Sequence, residues 1–132
     1  MLTQPLSGLT LYRARVLVVE DEVFVRLDIA DALRNAGLIV VEAASADDAA
    51  AFVDAGQPLD ALFTDVQLPG VLNGLSLARR VQVRHPDAAI VITSGDGMFR
   101  KEALGLGTFV PKPYEPLRVV RLINDLLDPT QA

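Results

Sequence analysis

The sequence contains no cysteine and only one histidine among its 132 residues. The absence of cysteine excludes disulfides, thiolate metal sites and cysteine nucleophiles, and it is compatible with a reducing compartment. No apolar run approaches the roughly 20 residues of a membrane span. The first residues also lack the charged and apolar regions of a secretory signal. We therefore expect a soluble cytoplasmic protein without a membrane partner.

An excess of basic residues is also missing. The chain has 12 Lys and Arg against 17 Asp and Glu, a formal net charge of -5. This balance argues against a nucleic-acid partner, because nucleic-acid binders usually present a basic face. No GxxxxGK loop occurs, and the GLG at residues 105–107 lacks the third glycine of a dinucleotide fingerprint. Hydrophobic residues make up 51%, which is typical of one compact globular domain.

Five short apolar runs, rich in β-branched or aromatic residues, predict five strands. They are residues 16–19, 38–41, 59–64, 89–93 and 108–110. The runs hardly alternate with polar residues, which indicates a parallel sheet covered by helices on both faces. The segments between them have helical spacing, at residues 22–36, 45–56, 74–85 and from Pro116 onward. The pattern is α/β, with βα units in succession.

One more helix, the fourth in chain order, is expected between the fourth and fifth strands, and it should be short. Glycines at 95, 97, 105 and 107 leave only residues 98–104 for it, and isolated helices under ~12 residues are marginal. We expect packing by Met98, Phe99 and Leu104 to supply most of its stability.

Polar side chains stand at the carboxyl ends of four of the predicted strands. They are Glu20, Asp21, Asp65, Thr93 and Lys112. Ligands bind at that edge of an open parallel sheet, so we expect these residues to converge on one pocket. Clustered carboxylates raise one another's pKa unless a cation neutralises them. Mg²⁺ suits an acid cluster without histidine or cysteine, because it takes carboxylates, keeps several waters and accepts a phosphoryl oxygen.

The same set predicts a phosphoaspartate site. Asp65 is placed to act as a carboxylate nucleophile. Lys112 would supply a positive charge to a phosphoryl oxygen, and Thr93 would supply a hydroxyl donor.

Four segments in this order resemble those of response-regulator receiver domains in two-component signalling. They are VLVVEDE at residues 16–22, FTDVQLPG at 63–70, ITSG at 92–95 and FVPKPY at 109–114. The last is similar to the FxPKPY form of short stand-alone receivers from alphaproteobacteria. The resemblance implies a flavodoxin-like, doubly wound (βα)₅ fold with strand order 2-1-3-4-5. It also implies phosphotransfer from a histidine kinase or histidine phosphotransferase, with Mg²⁺ or Mn²⁺ as the metal.

The resemblance assigns roles to individual residues. Asp65 would accept the phosphoryl group and would bind the metal together with Asp21 and the backbone carbonyl of Gln67. Glu20 stands where an aspartate is more common, and it would act on the metal through water. The loop at residues 69–74 holds one residue more than is usual for the family, which predicts a wider loop.

Lys112 matches the family's lysine, and Thr93 and Phe109 match its switch pair. Phe109 lacks the hydroxyl of a switch tyrosine, so switching would depend on burial of the ring. Lys112 lies between two prolines, which restrict the backbone and aim the side chain in advance. The resemblance further implies a cis Lys112–Pro113 bond.

We expect an N-terminal extension at residues 1–13, a receiver domain at 14–128 and a tail at 129–132. Because few residues follow the last helix, output is expected through protein contacts or phosphorelay, with an unidentified downstream protein and a possible homodimer. The chain would then be a switch and not a metabolic enzyme.

Two alternatives remain open. The first is a phosphorylation-independent interaction module with the same fold, against which the intact acidic set argues. The second is a phosphatase or phosphotransferase that uses an aspartyl phosphate, in which a second aspartate two residues after the nucleophile commonly serves as acid or base. Gln67 occupies that position and cannot act as an acid or base.

Overall fold

A computed structural model describes residues 13–128 of the chain. Five strands form one sheet: β1 Arg15–Val19, β2 Ile39–Ala43, β3 Ala61–Asp65, β4 Ala89–Ser94 and β5 Thr108–Pro111. Five helices alternate with them: α1 Val23–Asn35, α2 Ala46–Asp54, α3 Gly74–Arg84, α4 Arg100–Leu104 and α5 Pro116–Leu127. A 3₁₀ turn, Gly97–Phe99, precedes α4. The predicted extension and tail lie outside the described residues, apart from Arg13.

All neighbouring strands are parallel and the order is β2-β1-β3-β4-β5. The predicted (βα)₅ architecture and strand order are confirmed. Two strands are displaced slightly from the predicted runs, since β2 and β3 each begin and end later in the chain. The strand order reverses at β1, because β2 is added on one side of β1 and β3, β4 and β5 are added on the other. In open parallel sheets ligands usually bind at the carboxyl edge, beside such a reversal.

A separate hydrophobic core covers each face of the sheet. Alternate residues of β1 divide between the two: Leu17 lies in the core under α2, α3 and α4, whereas Val18 lies in the core under α1 and α5. Both side chains are fully buried. Because both faces are apolar, the strands show none of the polar alternation of a half-exposed sheet.

Local signals in the sequence explain where two of the helices begin. The Ser45 hydroxyl accepts a hydrogen bond from the Asp48 amide at 3.1 Å and caps α2, as its position in the sequence predicts. The Asn73 side chain caps α3 in the same way, accepting from the Ser76 amide at 2.9 Å. These caps fix where α2 and α3 begin, beside the carboxyl edge of the sheet.

The fourth helix is short, as predicted. The prediction that Met98 and Leu104 stabilise it by packing is wrong. Met98 and Leu104 are 74% and 52% exposed. Ala103 is fully buried instead, and Phe99 and Leu106 pack against the core. A helix of five residues has little more than one turn, so only one narrow stripe of it reaches the sheet.

In α1 and α5 the apolar face indicated by the sequence is broader than the face that the structure buries. Phe24 fits the helical spacing of α1 but is 80% exposed, because the first turn of α1 begins at the carboxyl edge of the sheet, beyond the core. In α5, Leu117 and Leu126 are exposed, whereas Val120 and Ile123 are buried with Val119. Within the described residues, no helix is long and apolar enough to cross a membrane.

Candidate functional site

Side chains from four strand ends meet at the carboxyl edge of the sheet, as the sequence predicts. The Lys112 ammonium, just after β5, donates hydrogen bonds to Asp65 Oδ2 at 2.7 Å and to Glu20 Oε1 at 2.8 Å. Asp65 is the last residue of β3, and Glu20 follows β1 directly. Lys112 thus joins residues that are 47 and 92 positions away in the sequence.

Three carboxylates cluster at this edge of the sheet, and two of them accept hydrogen bonds from Lys112. Glu20 and Asp65 are 2% and 7% exposed, whereas Asp21 faces solvent, and one oxygen of each lies within 4.8 Å of the others. The three negative charges and one ammonium leave two negative charges uncompensated. Oxygen is the donor atom that Mg²⁺ and Mn²⁺ prefer. The donor set and its charge therefore fit one hard divalent cation, with Asp21 on the open side.

Burial and hydrogen bonding shift the pKa values of two of these groups, Glu20 and Lys112. Burial raises the pKa of the Glu20 carboxyl, and the hydrogen bond from Lys112 opposes the shift only in part. For Lys112, burial would lower the pKa, but the hydrogen bonds to Asp65 and Glu20 together outweigh it and raise the pKa above its usual value. Lys112 therefore remains an ammonium at neutral pH.

Hydrogen bonds to neighbouring groups hold Glu20 in place. Its Oε2 accepts from the Glu22 amide at 3.1 Å, so both carboxylate oxygens have donors. The Arg26 guanidinium in α1 donates to the Glu20 carbonyl at 2.9 Å and to the Glu42 carboxylate at 3.1 Å. Sequence reasoning missed Arg26 and Glu42. The strand order is the signal that could have found this pair, because it places the end of β2 beside the end of β1.

Thr93 in β4 lies beside Asp65, its partner in the parallel register. Thr93 is 1% exposed, and within the part of the chain that the structure describes its Oγ1 has no hydrogen-bond partner. Leaving a buried hydroxyl unpaired costs about 1 to 3 kcal/mol. The hydroxyl is thus a free donor next to the predicted nucleophile.

The predicted switch pair is offset by one residue. Thr93 pairs with Val110 in the register, whereas Phe109 pairs with Ile92 and packs on the core under α4. The Arg100 guanidinium of α4 lies 6.0 Å from the centre of the Phe109 ring, in cation–π geometry.

The β5–α5 connection fixes the backbone of Lys112. Its amide donates to the Ser94 carbonyl at 3.0 Å, and the predicted cis Lys112–Pro113 bond is confirmed. Tyr114, which sequence reasoning did not single out, packs edge-on against Phe63 with ring centres 5.4 Å apart. Burial, followed by the charge of Glu20, raises the pKa of Tyr114 to about 12.

Gln67 lies in the loop between β3 and α3, two residues after Asp65, and its side chain is exposed. Backbone hydrogen bonds hold both ends of this loop. The Val66 amide donates to the Thr93 carbonyl at 3.1 Å, and the Gly74 amide donates to the Val66 carbonyl at 2.8 Å. The loop therefore leaves the sheet beside Asp65 and returns to it at α3.

Comparison with known proteins identifies the class of this fold and site. The family model described as "Response regulator receiver domain" matches residues 16–124. The chain belongs to the response-regulator receiver family. Members of this family are signalling modules with an acidic pocket for Mg²⁺, and they interact with histidine kinases and phosphotransfer partners.

Three curated relatives illustrate the range of proteins with this module. The chain is 35% identical over 115 residues to "Transcriptional regulatory protein FixJ" of Azorhizobium caulinodans, covering 83% of this chain and 53% of that protein. It is 32% identical to "Sensor kinase CckA" of Brucella abortus, covering 87% and 13%. It is 31% identical to "Chemotaxis protein CheY" of Thermotoga maritima, covering 83% and 94%. The chain thus spans about half of FixJ, a small part of CckA and nearly all of CheY.

Solved structures show the same fold. A response regulator receiver protein from Sinorhizobium medicae has a TM-score of 0.82 at 23% identity, covering 89% of this chain and 96% of its own. The receiver domain of the hybrid histidine kinase CckA has a TM-score of 0.74 at 29% identity, covering 87% and 100%.

Proposed function

We propose that Asp65 accepts a phosphoryl group from a phosphohistidine of a histidine kinase or histidine phosphotransferase. The observation that supports this most is the lysine bridge: Lys112 holds Asp65 and Glu20 together beside the exposed Asp21. The chain would act as a switch whose output is a protein contact or onward phosphotransfer, and not as a metabolic enzyme. The receiver module would span residues 14–128 and function in the cytoplasm.

In the proposed reaction a carboxylate oxygen of Asp65 attacks the phosphorus of the donor. The new O–P bond forms as the P–N bond breaks, and the electrons of that bond return to the imidazole of the donor. Lys112 stays protonated and compensates charge on the phosphoryl oxygens. The unpaired Thr93 hydroxyl donates to one of those oxygens.

The residues that would hold Mg²⁺, or Mn²⁺, are Asp21, Asp65 and the Gln67 carbonyl, with Glu20 acting through water. When bound, the metal would neutralise charge on the phosphoryl group and orient it toward Asp65. Both Glu20 oxygens already accept hydrogen bonds, which supports its indirect role.

Mg²⁺ binding is expected to depend on Asp21 more than on Glu20. Asp21→Asn and Glu20→Gln each remove one negative charge, so a difference between them reports direct contact with the metal. We expect Asp21→Asn to weaken binding about tenfold more than Glu20→Gln. Calorimetric titration of both variants with Mg²⁺ measures this difference. Equal losses would contradict the assignment of Asp21 as the direct ligand.

Beryllofluoride, a phosphoryl mimic, tests the phosphoacceptor directly. With Mg²⁺ present it is expected to bind the wild-type chain and to lose all detectable affinity in Asp65→Asn, because the amide oxygen lacks the charge of the carboxylate. Thr93→Val is expected to weaken binding without abolishing it. The charge-matched control is Asp125→Asn, on the exposed surface of α5. Unchanged affinity in Asp65→Asn would rule out Asp65 as the acceptor.

Thr93 and Phe109 form the proposed route to the output surface. A phosphoryl group on Asp65 that accepts a hydrogen bond from the Thr93 hydroxyl would move the end of β4 and the segment leading to α4. The single turn of α4 presents little surface to the core. Phe109, beneath Arg100, would carry the change into α4 through the burial of its ring. The downstream protein would bind this surface, and a homodimer is one form the contact can take.

A further inference from the structure

The middle of the β3–α3 loop is held by a side chain from a different helix. Residues 66–73 connect Asp65 to α3, and their ends are held by backbone hydrogen bonds. Between these ends Gln67, Pro69, Gly70 and Val71 are exposed, and Leu68 and Leu72 pack only in part against the core. Hydrophobic burial therefore contributes little to fixing the middle of the loop.

Asp47, in the first turn of α2, supplies the missing anchor. Its Oδ2 accepts a hydrogen bond from the Val71 amide at 3.0 Å, and its Oδ1 accepts one from the Leu72 amide at 3.0 Å. Hydrogen bonds to an ionised carboxylate are stronger than neutral ones, and two parallel bonds also fix the orientation of the loop. Asp47 thus ties the loop to α2 through consecutive backbone amides.

The loop is fitted closely to Asp47. Gly70 has φ of +100°, a conformation that favours glycine. A Cβ at Gly70 would lie 2.4 Å from Asp47 Oδ2, a separation that would force the carboxylate away. The positive φ and the close approach both occur at the residue before the two bonded amides. The glycine therefore permits the contact that Asp47 makes.

We propose that Asp47 is a positioning residue for the phosphorylation site. By fixing Val71 and Leu72 it restrains the loop that carries the Gln67 carbonyl, and so it sets how well that carbonyl faces the metal. Asp47 does not touch the reacting atoms. This inference rests on the proposed function, because it concerns the metal that the proposed reaction requires.

The test compares Asp47→Ala with Asp48→Ala in the full chain. Asp48 is also exposed in the first turn of α2 and carries the same charge, so its variant controls for net charge and for the helix dipole. Titration with Mg²⁺, followed by NMR at the Gln67 carbonyl carbon, measures affinity. We expect Asp47→Ala to bind Mg²⁺ about tenfold more weakly and Asp48→Ala to match the wild type. Asp47→Asn, which keeps one good acceptor, should be intermediate.

Hydrogen exchange of the metal-free protein gives a second readout. The Val71 and Leu72 amides are expected to exchange faster in Asp47→Ala, while the sheet amides of Leu17 and Leu62 stay as protected as in the wild type. Gly70→Ala should reproduce both effects, because its methyl group displaces the same carboxylate. A general loss of protection in Asp47→Ala would instead show a structural role and overturn the proposal.

The remaining outcomes separate this inference from the proposed function. If the wild type binds Mg²⁺ and Asp47→Ala binds it with unchanged affinity, the positioning role is wrong and the proposed function stands. If Asp48→Ala weakens binding as much as Asp47→Ala, the effect is one of charge and the positioning role is again wrong. If the wild type binds no Mg²⁺, the proposed function fails and the inference fails with it.

Discussion

Lys112→Ala is expected to slow phosphoryl transfer to Asp65 about 100-fold, the cost typical of removing one group that stabilises charge in the transition state. The affinity for Mg²⁺, by contrast, should increase. The ammonium now compensates part of the charge of Glu20 and Asp65 through hydrogen bonds of 2.8 and 2.7 Å. Without it the pocket is more negative, and we expect Mg²⁺ to bind several-fold more tightly. Transfer from a small acyl phosphate and calorimetric titration measure the two effects.

Two further variants make this prediction specific. Lys112→Arg restores the positive charge, so Mg²⁺ affinity should return toward the wild-type value. Transfer should stay slow, because the planar guanidinium does not replace a compact ammonium in the pocket. Lys101→Ala removes the only other lysine, on the exposed surface of α4, and should change neither quantity. Rapid transfer in Lys112→Ala would contradict the proposed role of the lysine.

Gly74→Ala is expected to lower the free energy of unfolding by about 3 kcal/mol, near the upper end for forcing extra atoms into a packed site. Gly74 is the first residue of α3, and a Cβ there would lie 1.8 Å from the backbone oxygen of Asp65. The backbone of either α3 or β3 would have to move. Because the obstacle is the main chain of the proposed phosphoacceptor, beryllofluoride binding should weaken as well. Urea unfolding and beryllofluoride titration measure the two losses.

Gly95→Ala is the matched control for Gly74→Ala. Gly95 also lies near the carboxyl edge, directly after β4, but nothing lies within 4 Å of the position of its Cβ. We expect its unfolding free energy to stay within about 0.5 kcal/mol of the wild type. Equal stability of the two alanine variants would show that α3 does not approach Asp65 as closely as described.

Much of the fold follows from short-range patterns in the sequence. Runs such as residues 16–19 and 89–93 are apolar on both sides, so they identify strands buried between helices. Ser45, directly before α2, marks a helix start, and Gly37, two residues after the end of α1, marks a helix end; both do so through their local chemistry alone. Phe24 shows where this reasoning stops: helical spacing identifies the side of a helix but not how far the helix extends past the sheet.

The positions of polar residues at the ends of the predicted strands indicated which residues would meet at the site, because parallel strands place their carboxyl ends at one edge of the sheet. Lys112, Asp65 and Glu20 are in contact for this reason. The contacts of Arg26 with Glu42 and of Asp47 with the β3–α3 loop were not predicted. They depend on the lateral spacing of elements and on the path of a loop, and neither leaves a periodic signal in the sequence.

The most direct test of this account is to locate the phosphoryl group chemically. The wild-type chain is incubated with a small acyl phosphate and Mg²⁺, reduced with borohydride, which converts an aspartyl phosphate to an alcohol, and digested for mass spectrometry. We expect reduction at Asp65 alone, with no reduction when Mg²⁺ is omitted. Reduction at Asp21 or Glu20, or a phosphoryl group on His85, the single histidine of the sequence, would contradict the proposal.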